Sequence, residues 1–300
     1  MHRIKVSLPA TAAQFGPAQA GLGLALGLRA TVEFTETTGD RLLVETGGED
    51  AGRYSLGLRH PVVLGLTRVF QQQERAVLGL TVRIHNEIPP GDALGTEAAF
   101  IAAGIIGANN LLGSPLRRSE VLALAVRVSG QPEHAVTTIL GGLNACLCAQ
   151  DGLIYRNLPA APLLAVVALP AIDLPEVLPP ERIARPVALD AVRRMPLLVE
   201  GLRAGDVPLL AQALEDRLFA PHVEPLITGL PAVKTALAAL GPAAVTLLGG
   251  GPALLIFSTA HVKSVQAAIV QAFAEHKVNV RTWAAPIDTQ GVLVSAAQMP

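Results

Sequence analysis

Residues 88–100 read IPPGDALGTEAAF, with two prolines and two spaced glycines ahead of an alanine-rich run. The stretch before it, LGLTVRIHNEI (78–88), alternates as a strand does, and the stretch after it has the composition of a buried helix. A turn that leaves a strand and opens a helix aims backbone N–H groups and the positive end of the helix dipole at one point, which suits an anion. Gly91 and Gly95 let the main chain approach such a ligand closely. A lone G-x-x-x-G equally fits a tight βα turn with no ligand, so from this segment alone both readings stay open.

The rest of the chain bounds the answer. Its 300 residues suit two domains, and 51% apolar against 16% charged residues, with 28 Gly and 23 Pro, describes a turn-rich globular protein and excludes a disordered one. A formal net charge of −1 offers no broad basic face for nucleic acid or an anionic membrane. Cys146 and Cys148 stand one residue apart, a poor geometry for a disulfide and an incomplete metal set. They are expected to be reduced core thiols of a cytoplasmic protein. The opening MHRIKVSLPA alternates like a strand and lacks the apolar run of a signal peptide. Ala98–Leu116 is free of charge but broken by Asn109, Asn110, Gly113 and Pro115, so it reads as a buried helix and not as a membrane span.

Along the chain, RIKVSL reads as a strand, PATAAQFGPAQAGLG as a small-residue loop, and LRATVEFTET with RLLVETGG as a hairpin pair. HPVVLGLTRVFQQQERA has helical spacing. After the glycine turn a helix starts near Thr96 and closes at Gly113; SEVLALAVRVSG and PEHAVTTILGG give two more, with Ser119 and Pro132 in starting positions. Strands return as a hairpin around Asp151-Gly152 and in PLLAVVALP. The proline-rich 174–180 is a candidate crossover, followed by two helices to Phe219. The last hundred residues read helix, two strands, helix, two strands. The sum is an α+β architecture with a predominantly helical middle.

Four segments in order raise the specificity: PATAAQFGPAQAGLGLAL, IPPGDALGTEAA, GQPEHAVTTILGG and LLGGGPALLIF. Together they resemble the GHMP small-molecule kinases and, within them, the homoserine kinases, whose patterns run P-A-T-x-A-N-x-G-P-G-x-D-x-L-G, P-x-G-x-G-L-G-S-S-A-A, E-G-H-P-D-N-V-A-P-x-x-x-G-G and S-G-S-G-P. The stretch LEDRLFAPHVEPLITGLPAV is similar to the run D-x-L-x-x-P-Y-R-x-x-L-I-P-G of homoserine kinases. The resemblance spans nearly the whole chain. It implies a two-domain GHMP kinase fold: a ribosomal protein S5 domain 2-like N-terminal domain (1–158) that binds nucleotide, and a ferredoxin-like C-terminal domain (159–300). It further implies ATP and Mg2+ as cofactors and homoserine or a related alcohol as substrate, with no nucleic-acid or membrane partner, and leaves a homodimer open.

Residue by residue, the resemblance places nucleotide at Pro89, Pro90, Gly91, Asp92, Ala93, Leu94, Gly95, Thr96, Glu97 and Ala98. Ala93 stands where the family has a glycine, Thr96 where it has the first serine and Glu97 where it has the second. Glu97 has three readings: a Mg2+ ligand in place of that serine, a charge that repels phosphate, or a solvated residue favoured by the helix dipole. The family's Mg2+-binding glutamate aligns with Ser129. Glu133 and His134 replace Asp and Asn in the third motif and are the catalytic candidates. Thr11, Gln14, Gly250 and Gly251 are the substrate-binding candidates. Gln14 and Ala20 stand for Asn and Asp of the first motif, and Val223, beside His222, for the arginine of P-Y-R. The T-x-x-A-R segment is rewritten as AIDLPEVLPP, with Arg182 and Arg185 the next arginines along the chain. These losses leave open a catalytically silent relative that binds a nucleotide or metabolite, and a kinase of a neutral alcohol.

Overall fold

The computed structural model describes residues 2–298 apart from 78, 92, 176, 178 and 179. It is α+β, as the sequence implies. Two long strands open the chain, β1 (His2–Phe15) and β2 (Ala18–Glu36). The small-residue stretch expected as a loop is therefore strand almost throughout and turns only at Gly16-Pro17. Its alanines and glycines answer a demand for space: Ala10, Ala12 and Ala18 are buried, and a Cβ on Gly23 would overlap Thr137 and the carbonyl of Glu133.

The expected hairpin of β2 with β3 (Leu42–Gly48) does not form. β4 (Leu80–Asn86) lies between them, antiparallel to β2 and parallel to β3. The cause is α1 (Pro61–Gln72): a helix between two strands makes a crossover, and a crossover brings its strands together in parallel. α2 (Thr96–Leu111) is apolar all round and buried almost to its end, as the charge-free stretch suggested. α1 and α2 pack backbone against backbone, since a Cβ on Gly65 would overlap the carbonyl of Ile101 and one on Gly104 that of Val62. α3 (Arg118–Ser129) starts at an N-cap of Arg117, not Ser119, because Glu120 reaches back to the Arg117 N–H at 2.8 Å. α4 (Pro132–Leu140) carries Pro132 in its first turn.

β5 (Leu143–Ala149) and β6 (Gly152–Leu158) form the hairpin expected around Asp151-Gly152. Both cysteines are free, but only Cys146 is in the core, where burial pushes its thiol up to about 12; Cys148 is exposed, against expectation. The first sheet runs β11-β1-β2-β4-β3, with β5 joined to β2 and β6 to β5. Its edge strand β11 (Leu293–Gln298) comes from the far end of the chain and pairs antiparallel with β1, His2 opposite Gln298.

The second sheet runs β10-β7-β9-β8, from β7 (Leu164–Pro170), β8 (Ala243–Leu247), β9 (Leu254–Ser258) and β10 (Val280–Pro286). Between β7 and β8 lie α5 (Arg185–Ala204), α6 (Val207–Ala213), the short α7 (Ala220–Val223) and α8 (Leu230–Leu240); α9 (Val262–Glu275) joins β9 to β10. Set aside the added helices and this is β-α-β-β-α-β, the ferredoxin-like order. Its core is built by Phe219, Val223, Ile227, Leu237, Ile256 and Phe273.

The chain passes between two compact units instead of dividing once. The first holds 1–12, 23–157 and 288–300, the second 13–22 and 158–287. The expected division after residue 158 lies beside one of these boundaries; the other crossings are the β1–β2 turn and the return of β11. Among the described residues no single helix is long and apolar enough to cross a membrane.

Candidate functional site

The glycine turn of the first unit begins at Asn86, the last residue of β4. This side chain is buried and ties two segments of backbone with three hydrogen bonds: its Oδ1 accepts from Ile88 N at 3.1 Å, and its Nδ2 donates to the carbonyls of Glu49 at 3.0 Å and Ile88 at 3.3 Å. The turn ends at Gly95, the N-cap of α2, with φ 68° and ψ 26°. That left-handed backbone favours glycine. Space demands it as well, since a Cβ there would overlap Thr11 Oγ1 and His134 Nδ1. Thr11 donates its N–H to the Leu94 carbonyl at 3.0 Å, and its hydroxyl shares a 2.7 Å hydrogen bond with His134 Nδ1. Three of the residues singled out from sequence, Thr11, Gly95 and His134, thus meet at one point although they lie far apart in the chain.

The chemistry of this point follows from its surroundings. Desolvation lowers the His134 pKa to about 4, opposed by hydrogen bonding to Thr11, so the ring is neutral at physiological pH. As placed, it holds Thr11 and through it the loop. Glu97 stands half-buried in the first turn of α2 with no ion pair among the described residues. The Thr96 hydroxyl is buried and without a partner there. Glu133 occupies the first turn of α4, and its charge adds to the upward push on Cys146. Asp92 lies outside the described residues.

Two observations bear on whether nucleotide phosphates fit. No side chain of the N-cap residue caps α2, and among the described residues its first-turn N–H groups have no side-chain partner. Beside Gly91, whose φ is 108°, a Cβ would meet nothing within 4 Å, so the space there is open. The residues fit an anion. For Mg2+ the chain supplies little, because among the described residues no group of three or more His, Cys, Asp or Glu could hold a metal. One carboxylate suits an ion that keeps waters and nucleotide phosphates as its other ligands.

Sequence reasoning missed two features of the first unit. Asp50, in the loop after β3, accepts a hydrogen bond from Gly91 N at 3.2 Å. His60 is 1% exposed, caps α1 through Val62 N at 3.2 Å, and stacks on Phe100 with ring centroids 5.7 Å apart; burial lowers its pKa to about 4. His60-Pro61 at a helix start was a legible cap signal. Nothing in the sequence marks Asp50.

The remaining candidates belong to the second unit. Gln14 has a left-handed backbone, φ 55°, and its carbonyl accepts from Gly249 N at 3.1 Å. Gly250 faces the Phe219 ring, and Gly251 is in open space. Val223, at the position of the family's arginine, is fully buried in that unit's core, while His222 is exposed. Arg182 and Arg185 are exposed. In the first unit Ser129, at the position of the family's glutamate, ends α3 and accepts from Gln131 N at 3.2 Å.

A parallel-and-antiparallel sheet with a glycine turn at an uncapped helix start, carried on a chain whose other half is ferredoxin-like, defines a class: the GHMP kinases. The model of the GHMP kinases N terminal domain matches residues 62–152. The homoserine kinase of Moorella thermoacetica is 32% identical over 278 residues, covering 91% of this chain and 93% of its own. That of Trichormus variabilis is 29% identical over 96% and 97% of the two chains. In solved structures, homoserine kinase from Cytophaga hutchinsonii superposes with a TM-score of 0.84 at 23% identity, covering 98% of this chain and 97% of that one, a likeness of fold. This chain belongs to the homoserine kinase family of the GHMP kinases. GHMP kinases use ATP, generally with Mg2+.

Proposed function

We propose that the chain is an ATP-dependent kinase that phosphorylates the hydroxyl of L-homoserine, a step of threonine biosynthesis in the cytoplasm. One observation carries the reading: the uncapped turn at Gly95 stands preformed, held by Thr11 and His134, in a chain similar over nearly all its length to homoserine kinases. ATP supplies the phosphoryl group, and Mg2+ offsets its charge. The unit of 1–12, 23–157 and 288–300 carries the nucleotide lobe, and the unit of 13–22 and 158–287 the second lobe.

In this reading the main chain of Gly95 to Ala98 binds phosphate oxygens with N–H groups and the helix dipole. Pro89 to Leu94 wall the nucleotide, and the Glu97 carboxylate is the Mg2+ ligand. Thr11, Gln14, Gly250 and Gly251 orient the alcohol. His134, neutral and bonded to Thr11, is a positioning residue, and Glu133 is the candidate acid–base group of the pair. A second reading, a kinase of a neutral alcohol, draws on Val223: a buried valine stands where a carboxylate-binding arginine would be.

Thermal unfolding with and without Mg2+·ATP, followed by ADP release with homoserine and with neutral alcohols, tests both. ATP at 100 times its Kd is expected to stabilise the native state by about 2.7 kcal/mol. No shift at millimolar nucleotide overturns both kinase readings and leaves a catalytically silent GHMP-fold protein. A shift with turnover of neutral alcohols alone selects the second.

A further inference from the structure

The loop that follows β3 is bound to the glycine turn more firmly than a surface loop needs to be. Gly48, the last residue of β3, sits against the backbone of Asn86, where a Cβ would overlap the carbonyl. Glu49 N donates to that carbonyl at 2.8 Å, and the Asn86 side chain returns a hydrogen bond to the Glu49 carbonyl at 3.0 Å. The next residue, Asp50, has φ 57°, a left-handed backbone that Asp and Asn tolerate better than other side chains. This conformation delivers its carboxylate to the turn, where Oδ2 accepts from Gly91 N at 3.2 Å and from Arg53 Nη1 at 3.3 Å. The Asp50 side chain is only 16% exposed, so the bond is shielded from water. The loop is tied again one residue on, by Thr46 Oγ1 donating to the Ala51 carbonyl at 2.6 Å.

Gly91 has an open side and a left-handed φ of 108°, with no side chain of its own to hold it. Without Asp50 its amide would be free to turn. A carboxylate bound to that amide is an internal anion: it fixes the direction of one N–H of the turn before any ligand arrives, and Arg53 offsets its charge. Fixing a ligand-binding loop in advance lowers the ordering cost that the ligand would otherwise meet.

We propose that Asp50 is a positioning residue for the nucleotide: its carboxylate clamps Gly91 and keeps the turn in its binding shape, so that the residue acts on ATP affinity and not on the chemical step. The proposal rests on the ATP reading above, and its test separates the two. Two variants suit the backbone at φ 57°. Asp50→Gly removes the clamp without strain, and Asp50→Asn keeps an acceptor for Gly91 while removing the charge.

Two measurements are made on the full chain. Amide hydrogen exchange over residues 88–96 without nucleotide reads the clamp alone; steady-state ADP release reads KM for ATP against kcat. Asp50→Gly is expected to speed exchange in 88–96 and raise KM for ATP about tenfold, the scale of one hydrogen bond to a charged group, with kcat within about twofold. Asp50→Asn is expected to recover most of the protection and most of the affinity. Unchanged exchange overturns the clamp. A lower KM for either variant overturns the proposal in the opposite sense, showing a carboxylate that competes with phosphate. If the unaltered chain neither binds nor consumes ATP, the kinase reading falls and the role in nucleotide binding falls with it, while the exchange result still decides whether Asp50 holds Gly91.

Discussion

The glycine turn that opens α2 in the first unit is fixed from several sides, whereas the glycine run between β8 and β9 in the second is fixed mainly at its ends. At the first, Thr11 N holds Leu94, Asp50 holds Gly91, and Gly95 has no room for a side chain between Thr11 and His134. At the second, Gly249 N is held by the Gln14 carbonyl at 3.1 Å and Leu248 N by that of Ala253 at 2.8 Å. Beyond them, among the described residues, a Cβ on Gly250 would meet only the Phe219 ring and one on Gly251 nothing within 4 Å. The two segments look alike in sequence. Their glycines answer different demands: shape and space in the first unit, and in the second no steric demand at Gly251.

The contrast can be broken or sharpened by experiment. The largest effect is expected for Gly95→Ala, which adds a Cβ in a left-handed backbone and in occupied space. A loss of about 2–5 kcal/mol in urea unfolding is expected from strain and overpacking together, and a loss under about 1 kcal/mol would remove the contrast. Next comes pH. His60 and His134 both have pKa values lowered to about 4 in the native state, from 6.5. The unfolded chain therefore binds more protons between pH 6.5 and 4, so stability is full above 6.5 and falls as pH drops through that window. The slope is expected to reach about 1.4 kcal/mol per pH unit for each histidine. Stability curves that stay flat from pH 7 to 5 would contradict it.

Thr11→Val keeps the volume of a fully buried residue but leaves His134 Nδ1 without its hydroxyl partner. A loss of about 1–2 kcal/mol in urea unfolding is expected, and a loss under about 0.5 kcal/mol would show that the hydroxyl does not hold the ring. Smallest of all is Gly251→Ala, expected within about 0.5 kcal/mol of the unaltered chain. Because its stability barely moves, any change in KM for the alcohol would mark Gly251 as a ligand contact.

These expectations also show what was legible in the residues. The α+β class, the helices from α1 to α4, the Asp151-Gly152 hairpin and the ferredoxin-like order all followed from periodicity, turn residues and the family pattern. The meeting of Thr11, Gly95 and His134 was legible only through the collinear motifs, since no local rule joins residues over a hundred apart. Two local rules failed for physical reasons. The small residues of PATAAQFGPAQAGLG suggest a loop, whereas burial at Ala10, Ala12 and Ala18 and close approach to Thr137 at Gly23 are what require them. RLLVETGG was paired with its sequence neighbour because periodicity carries no information on strand order; α1 decides it. Asp50 was invisible, since its role comes from a left-handed backbone and a partner forty-one residues on.

The return of the chain's last strand to the first sheet has a consequence for biogenesis. Arg29 on β2 grips that segment, donating to the Gly291 carbonyl at 2.7 Å and pairing with Asp288, while β11 lies along β1. During vectorial synthesis the amino-terminal half leaves the ribosome with a bare strand edge and an arginine lacking its carboxylate. It stays so until the residues after β10 have emerged. A fragment stopping at 158 would inherit the same open edge, and adding a peptide of residues 287–298 in trans is the direct way to heal it.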